Sequence, residues 1–499
     1  MNWLHAARLT LGRVFRRPAR MASPAAQRPP HHKPALPGDL RALPSAVDDP
    51  ERMVAAIDRV FALGEAGMLV FGWKLLPRQL PLDVTVHDET GSQVSVQENL
   101  RALLRDDIAG AYRERVPGAA RWCGFIVHVP LPTEAGDARA ICFHYPGRRG
   151  IWLGLPLDER AQQGIPLSKE MLSMIPNPGA LNRRLHDMFE AGLGAALEAV
   201  NQQRLIHDPL WEEAIESRQF GAPPESPARS VIVPLYGRCD FLRDQLAGFA
   251  GDADFYHTDL IWVVDYPALL AQTLALAARC HRRFNVAFRV VWYGRNLGFA
   301  GANNVGVRVS RADRLLLLNS DVTPQQPGWL KPLEQALDRL PSAGAVTPLL
   351  QFADGSVQHA GMEAQCRPQL PGFLLNAHPG KGKLWTGADS PFEAPMLTGA
   401  CLLLRKRDYL ACGGLDEGYL IGYFEDCDLC LRLRGLGRKL YLVPAARLWH
   451  LEQQSQPFGS SADVRRLIFL FNAWRYGRKI RAGKLVNPMK IRGEMRFQA

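Results

Sequence analysis

"RLLLLNSDV" (residues 314–322) sets four leucines directly against an Asn-Ser-Asp triplet. A run this apolar suits a strand covered on both faces, and its abrupt polar end suits a strand that stops at a ligand-facing edge. Asp321 would then stand just past the carboxyl end of the strand, held rigidly yet open to a ligand. The plainer alternative makes Asn319 and Asp321 caps of a turn and of a following helix.

Working outward, three similar runs precede this one: "SVIVPLYG" (230–237), "LIWVVDYP" (260–267) and "FRVVWYGRN" (288–296). Between the four lie stretches with helical spacing, "CDFLRDQLAGFA", "ALLAQTLALAARCHRR" and "GANNVGVRVSRA". Strands buried on both faces that alternate with helices predict a doubly wound, mainly parallel sheet of the α/β class. Such sheets bind ligands beyond the carboxyl ends of their strands.

Two further segments carry chemistry. "RNLGFAGANNVGV" (295–307) leads three glycines and three asparagines into a helix, a composition suited to close approach by a phosphate or sugar; a tight turn with Asn caps is the other reading. It lacks the G-x-G-x-x-G spacing, and no G-K-[ST] phosphate loop occurs in the chain. In "GLDEGYLIGYFEDCDLCLRLRGLG" (414–437), Glu425, Asp426 and Asp428 crowd the first turn of an expected helix, where the dipole favours ionised carboxylates. Asp428 reads as a helix-start acid. A carboxylate held ionised beside an aromatic wall can instead take a proton from a hydroxyl.

In order and spacing, these segments resemble the inverting, nucleotide-sugar-dependent glycosyltransferases of family two, of GT-A fold, and within it the rhamnosyltransferase-like enzymes of bacterial surface polysaccharides. The resemblance spans roughly residues 228–452. It implies a nucleotide-sugar donor, a glycan or lipid-linked saccharide acceptor and a divalent cation, Mg2+ or Mn2+. By that resemblance Asp321 holds the cation, with His450 of "ARLWHLEQ" beside it, and Asp426 is the general base, with Glu425 orienting the site. Pro234, Tyr236 and Asp265 would border the nucleobase, while Arg295, Asn296, Gly298, Gly301, Asn304, Asn319 and Ser320 would line the donor side. Thr398 and Gly399 of "LTGACLLLRK", with Tyr423, fall on the acceptor side. Asn319 stands where many relatives carry the first Asp of a D-x-D, and "VVDYPAL" lacks the usual Asn-Gly-Ser continuation.

At 499 residues the chain exceeds what one core usually fills. Short alternating runs such as "LDVTVHD", "CGFIVHVPLP", "RAICFHY" and "GIWLGL" predict a β-rich, sandwich-like domain over 51–157. Residues 158–227 read as a helical connector and linker, 228–460 as the glycosyltransferase domain, 1–50 as a basic arm with a Pro-rich linker, and 461–499 as a basic C-terminal extension. The formal charge of +11 is terminal: residues 1–38 hold seven Lys or Arg and no acid, and 464–499 hold ten against Glu494 alone. The stretch between them is mildly acidic, so no nucleic-acid partner is expected.

Leu4, Ala7, Leu11, Val14 and Phe15 recur at near-helical spacing with arginines opposite, which fits peripheral contact with an anionic membrane or, equally, a frayed soluble arm. No export signal or membrane span is legible, and a cytoplasmic protein, peripheral at the inner membrane face at most, is expected. The nine cysteines fit free thiols, Cys427 and Cys430 included, as packing residues on a helix. Two other functions stay open: a non-catalytic sugar-binding or scaffold protein of the same fold, and a sugar nucleotidyltransferase, which would need a glycine-rich basic loop after the first strand.

Overall fold

The computed structural model describes residues 39–49, 53–75, 83–116, 120–130, 139–144, 150–157, 164–205, 214–452 and 461–491. The arm at residues 1–21, with its membrane reading, lies outside them.

The expected β-rich region is two antiparallel sheets face to face. One runs Ala46–Asp49, Met53–Ala62, Met68–Leu75, Gly124–Val129, Arg101–Leu103; the other runs Gln93–Ser95, Asp83–Asp88, Arg139–His144, Ile151–Gly154. Val70, Val84, Val86, Phe125, Val127, Ile141 and Phe143 fill the space between them, the inward half of each period-two pattern. The opposite face of the first sheet is apolar too: Phe61, Leu69 and Phe71 join a core that continues through connector helices Ile165–Ser173 and Gly194–Leu205.

The second part is one large mixed sheet. Its strands are β1 (Glu216–Phe220), β2 (Arg229–Leu235), β3 (Thr258–Val264), β4 (Phe288–Trp292), β5 (Arg314–Leu318), β6 (Val322–Pro324), β7 (Ala343–Gln351), β8 (Val357–His359), β9 (Cys401–Arg405) and β10 (Lys439–His450), with a two-residue strand, Phe392–Glu393, paired to β10. Along the sheet they run β1-β4-β3-β2-β5-β9-β7-β10-β6, with β8 paired to β7. The four central strands β4, β3, β2 and β5 are mutually parallel. Leu315–Leu318 are all buried, as a strand covered on both faces requires. Helices α1 (Gly298–Val309), α2 (Glu425–Gly435) and α3 (Ala462–Arg481) complete the part of the fold that builds the site.

Two expected boundaries move. The segment assigned to a connector ends in β1, which pairs antiparallel with β4 and so belongs to the large sheet. The C-terminal stretch expected as a basic extension is α3, a helix whose Leu467, Leu470, Phe471, Ala473 and Trp474 are buried. Several of its basic residues pair with acids of the fold. Arg475 bonds Glu198 (2.6 Å) and Asp416 (2.9 Å), Lys479 bonds Asp416 (2.7 Å) and buried Asp428, and Arg481 bonds Glu190 (2.6 Å). Part of the charge excess therefore partners acids far away in sequence. Gly194 lies where a Cβ would collide with the Trp474 ring, so a glycine is what lets the connector helix approach α3. No described helix is long and apolar enough to cross a membrane.

Candidate functional site

A cleft of about 340 Å³ opens at the carboxyl ends of the parallel strands. Pro234 and Tyr236 reach it from the end of β2, Asp265 from the end of β3, Asn296 and Gly298 from the start of α1, and Asn319, Ser320 and Asp321 from the end of β5. The far side is formed by Thr398, Gly399, Tyr423, Glu425 and Asp426, with His450 at the end of β10. The carboxylates of Asp321 and Asp426, more than a hundred residues apart, thus share one cavity.

The Asn-Ser-Asp turn is fixed from beneath. Fully buried Gln245 donates to the carbonyls of Asn319 (2.9 Å) and Val322 (3.0 Å) and accepts from the Trp262 indole (3.2 Å). The Asn319 N–H donates to the Ala400 carbonyl (2.8 Å), and His450 Nε2 lies 3.5 Å from Asp321 Oδ1. Gln245 escaped the sequence reading although it left a signal: it interrupts the apolar stripe of Leu242, Leu246 and Phe249 on its own helix.

On the opposite rim, Asp426 Oδ2 accepts the Gly399 N–H (2.9 Å) and Oδ1 accepts the Cys427 N–H (2.7 Å). A Cβ at Gly399 would press on both Asp426 and the Phe299 ring, so this donor needs a bare backbone. Burial raises both acids of the pair above the usual carboxylate range; for Glu425 the neighbouring Asp426 charge adds to burial and lifts it to about 8. Backbone hydrogen bonds oppose the rise in both acids; those from Gly399 and Cys427 tie down both oxygens of Asp426, whereas Glu425 Oε2 is buried without a partner among the described residues. Asp426 is therefore the member that carries the charge, and Glu425 the one that keeps a proton.

The loop before α2 is strained. Ile421, Tyr423 and Phe424 have φ of 62°, 85° and 73°, a left-handed conformation that costs a non-glycine residue of order 1–3 kcal/mol. Buried Asn472 of α3 holds it there: its Oδ1 accepts the Leu420 N–H (2.9 Å), and its Nδ2 donates to the carbonyls of Leu420 (3.0 Å) and Gly422 (2.7 Å). The Phe424 ring packs between Phe469 and Tyr476, also of α3, at 5.2 and 5.4 Å between centroids. Arg465 and Ile468 of the same helix reach the cleft wall.

The family described as "Glycosyltransferase like family 2" matches residues 227–468. The N-acetylglucosaminyl-diphospho-decaprenol L-rhamnosyltransferase of Mycobacterium tuberculosis is 30% identical over 38% of this chain and 67% of that protein. The chain belongs to glycosyltransferase family 2. The uncharacterized protein y4gI of Sinorhizobium fredii is 30% identical over 48% of this chain, and the O-antigen biosynthesis protein RfbC of Myxococcus xanthus 28% identical over 54%. The chain spans only 26% and 20% of the lengths of those two.

Within this family-2 cleft, three residues expected on the donor side are elsewhere. Arg295 is exposed, its guanidinium 5.3 Å from the Tyr293 ring centre, and does not line the cleft. Gly301 is buried where a Cβ would strike Leu297 and approach Glu417. Asn304 donates to the Leu415 carbonyl (2.9 Å) and Glu417 Oε1 (2.8 Å) and accepts from Tyr409 and the Leu415 N–H, stapling α1 to the 414–417 segment. Gly301 and Asn304 share a helix stripe with Gly298 but lie further along the axis at about 1.5 Å per residue, which carries them beneath the cleft, while Arg295 precedes α1 and faces solvent. Asp265 lines the cleft as expected, yet its carboxylate accepts the Leu297 (2.6 Å) and Gly298 (3.0 Å) amides and Asn296 Oδ1 accepts Gly298 N–H (2.8 Å). The start of α1 is thus satisfied by an anion of the protein itself. Cys427 and Cys430 are free buried thiols; burial pushes Cys430 up to about 12, which suits packing.

Proposed function

We propose that this chain moves a sugar from a nucleotide-diphosphate donor to a hydroxyl of a glycan or lipid-linked saccharide, inverting the anomeric configuration, in surface polysaccharide synthesis at the cytoplasmic side of a membrane. The observation that carries this is the meeting of Asp321, at the end of β5, with the Glu425-Asp426 pair, at the start of α2, in one cleft. The mycobacterial relative is named for rhamnosyl transfer to a lipid-linked saccharide and the myxobacterial one for O-antigen biosynthesis, and both names agree with this reading.

Asp426, anchored by two backbone amides, accepts the proton of the acceptor hydroxyl as that oxygen bonds to the anomeric carbon. The bond from the anomeric carbon to the donor phosphate breaks on the opposite face, its electron pair leaving with the nucleoside diphosphate. Glu425, kept protonated, leaves a single negative charge at the base position rather than two. Tyr423, 39% exposed at the rim, offers a ring face to the acceptor.

A divalent cation fits the donor end. Asp321 supplies a carboxylate, His450 Nε2 lies 3.5 Å from its Oδ1, and Asn319 Oδ1 is buried without a partner among the described residues. These are two hard oxygen donors and a nitrogen, a partial set of the kind that phosphate oxygens and water complete. When bound, such an ion neutralises charge on the departing diphosphate.

The test is thermal-shift titration with a panel of nucleotide sugars, with and without Mn2+ or Mg2+, followed by turnover. A cation-dependent rise in melting temperature with one donor, and a product of inverted configuration by NMR, is the expected outcome. A panel in which no nucleotide sugar stabilises the protein would overturn the reading.

A further inference from the structure

One wall of the cleft holds a chain of hydrogen bonds that the transfer chemistry above does not use. His359, fully buried at the end of β8, has its Nε2 facing two backbone donors, the N–H of Gly361 (3.3 Å) and of Thr398 (3.4 Å). A nitrogen that accepts from amides carries no proton of its own. The His359 proton therefore sits on Nδ1, which lies 3.2 Å from Nδ1 of His378. His378 Nδ1 must accept that proton's hydrogen bond, which puts the His378 proton on Nε2. Two peptide N–H groups thus dictate, through one buried imidazole, which edge of a second imidazole is the donor. His378 itself lines the cleft, half-buried, with Asp321, Thr398 and His450.

Gln358, next to His359 in sequence, lines the same cleft as His378, is 4% exposed, and has a side-chain carbonyl oxygen without a partner among the described residues. An unsatisfied buried acceptor costs about 1–3 kcal/mol, so one that persists in a cleft wall points to a ligand that satisfies it. Burial, with the Lys381 ammonium nearby, lowers His378 to about 4 and keeps it uncharged. A neutral donor and a neutral acceptor suit a hydroxyl, which gives one hydrogen bond and takes another; they do not suit a phosphate.

We propose that His378 Nε2–H and Gln358 Oε1 form a hydroxyl-reading pair for a sugar in the cleft, with His359 as the positioning residue that fixes the His378 tautomer. This rests on the glycosyltransferase reading for its substrate class, a saccharide, supplied by the donor or by the acceptor.

Long-range 15N spectra of histidine-labelled protein read the tautomers directly: His359 is expected protonated on Nδ1 and His378 on Nε2, and a His378 proton on Nδ1 overturns the proposal. Calorimetry with Mn2+ then compares UDP-GlcNAc, GDP-mannose and dTDP-rhamnose with UDP, GDP and dTDP, alongside the methyl glycosides of rhamnose and GlcNAc. His378→Phe keeps a ring without the donor, and His378→Gln keeps an amide N–H close to the position of Nε2. Loss in His378→Phe of the roughly 3- to 10-fold by which a nucleotide sugar outbinds its nucleotide, with recovery in His378→Gln, places the hydroxyl on the donor. The same pattern confined to a methyl glycoside places it on the acceptor, and upholds the pair even if no nucleotide sugar binds. Affinities unchanged by His378→Phe in both arms sink the pair while leaving the transferase reading intact.

Discussion

The two rims of the cleft are built on different principles. The donor rim is made of strand ends: Pro234 lies at the end of β2, and Asp265 and Asp321 just past β3 and β5, so each side chain inherits its place from a ladder of backbone hydrogen bonds. The acceptor rim is a strained loop with three left-handed residues, held by Asn472 and aromatic rings of a helix that arrives about fifty residues later. One rim is placed by the sheet, the other by a clamp. Substitutions should therefore separate them, changing nucleotide affinity on one side and turnover on the other.

The largest effect is expected at the base. Asp426→Asn should lower turnover by roughly 10³- to 10⁴-fold while nucleotide-sugar affinity, measured by calorimetry, changes little. Turnover within tenfold of the parent would remove Asp426 from the chemistry. Next comes the clamp: Asn472→Leu leaves one N–H and two carbonyls of the loop without their partner, at a cost of about 3–4 kcal/mol in denaturant unfolding. Because a loop displaced by about 1 Å misplaces the base, turnover should fall by about 100-fold with nucleotide affinity retained. Equal losses in both quantities would show that the rims are not separable. On the donor rim, Asp321→Ala should weaken cation-dependent nucleotide binding by roughly 10- to 100-fold, the range of a charge-assisted contact. It should leave cation-free binding unchanged.

The same contrast explains what was legible in the sequence. Strand ends announce themselves locally: four leucines meeting Asn-Ser-Asp, or "VVD" ending an apolar run, place Asp321 and Asp265 without knowledge of any partner. The Glu425-Asp426 pair is equally local, a cluster of acids at a helix start. Asn304 and Gly301 misled because a contiguous motif runs down the helix axis, and each turn carries it about 5 Å further from the cleft into the interior. The clamp and the turn support were hidden in another way. Asn472 inside "LIFLFNAW" and Gln245 inside "FLRDQLAGF" are polar residues on apolar faces, and each bonds backbone groups distant in sequence. Their presence was a signal that something buried needed hydrogen bonds; which loop needed them was a property of the fold. The basic C-terminal stretch was misjudged for a related reason, since its partners Glu198, Asp416 and Asp428 lie far upstream.

The smallest expected effect tests the acceptor rim most finely. Glu425 ionises in the folded protein only near pH 8, against about 4.5 for an unperturbed Glu, because burial and then the Asp426 charge oppose it. Between those values the folded chain holds a proton that the unfolded chain has released, so the stability Glu425 contributes falls as pH rises, until the folded group ionises as well. Gln has no such proton. The melting temperature of Glu425→Gln relative to the parent should therefore be lowest near pH 4.5 and climb by a few degrees up to about pH 8, since each kcal/mol moves the midpoint by only about 1–2 °C in a chain of this length. Activity should respond only on one limb. The acid limb reports Asp426 ionising beside a neutral partner, which Gln mimics, so it should stay in place. Above pH 8 the parent gains a second carboxylate charge beside the base and its profile should bend, whereas that of Glu425→Gln should not. A bend that survives in Glu425→Gln would assign it to another group and leave Glu425 without a part in setting the charge at Asp426.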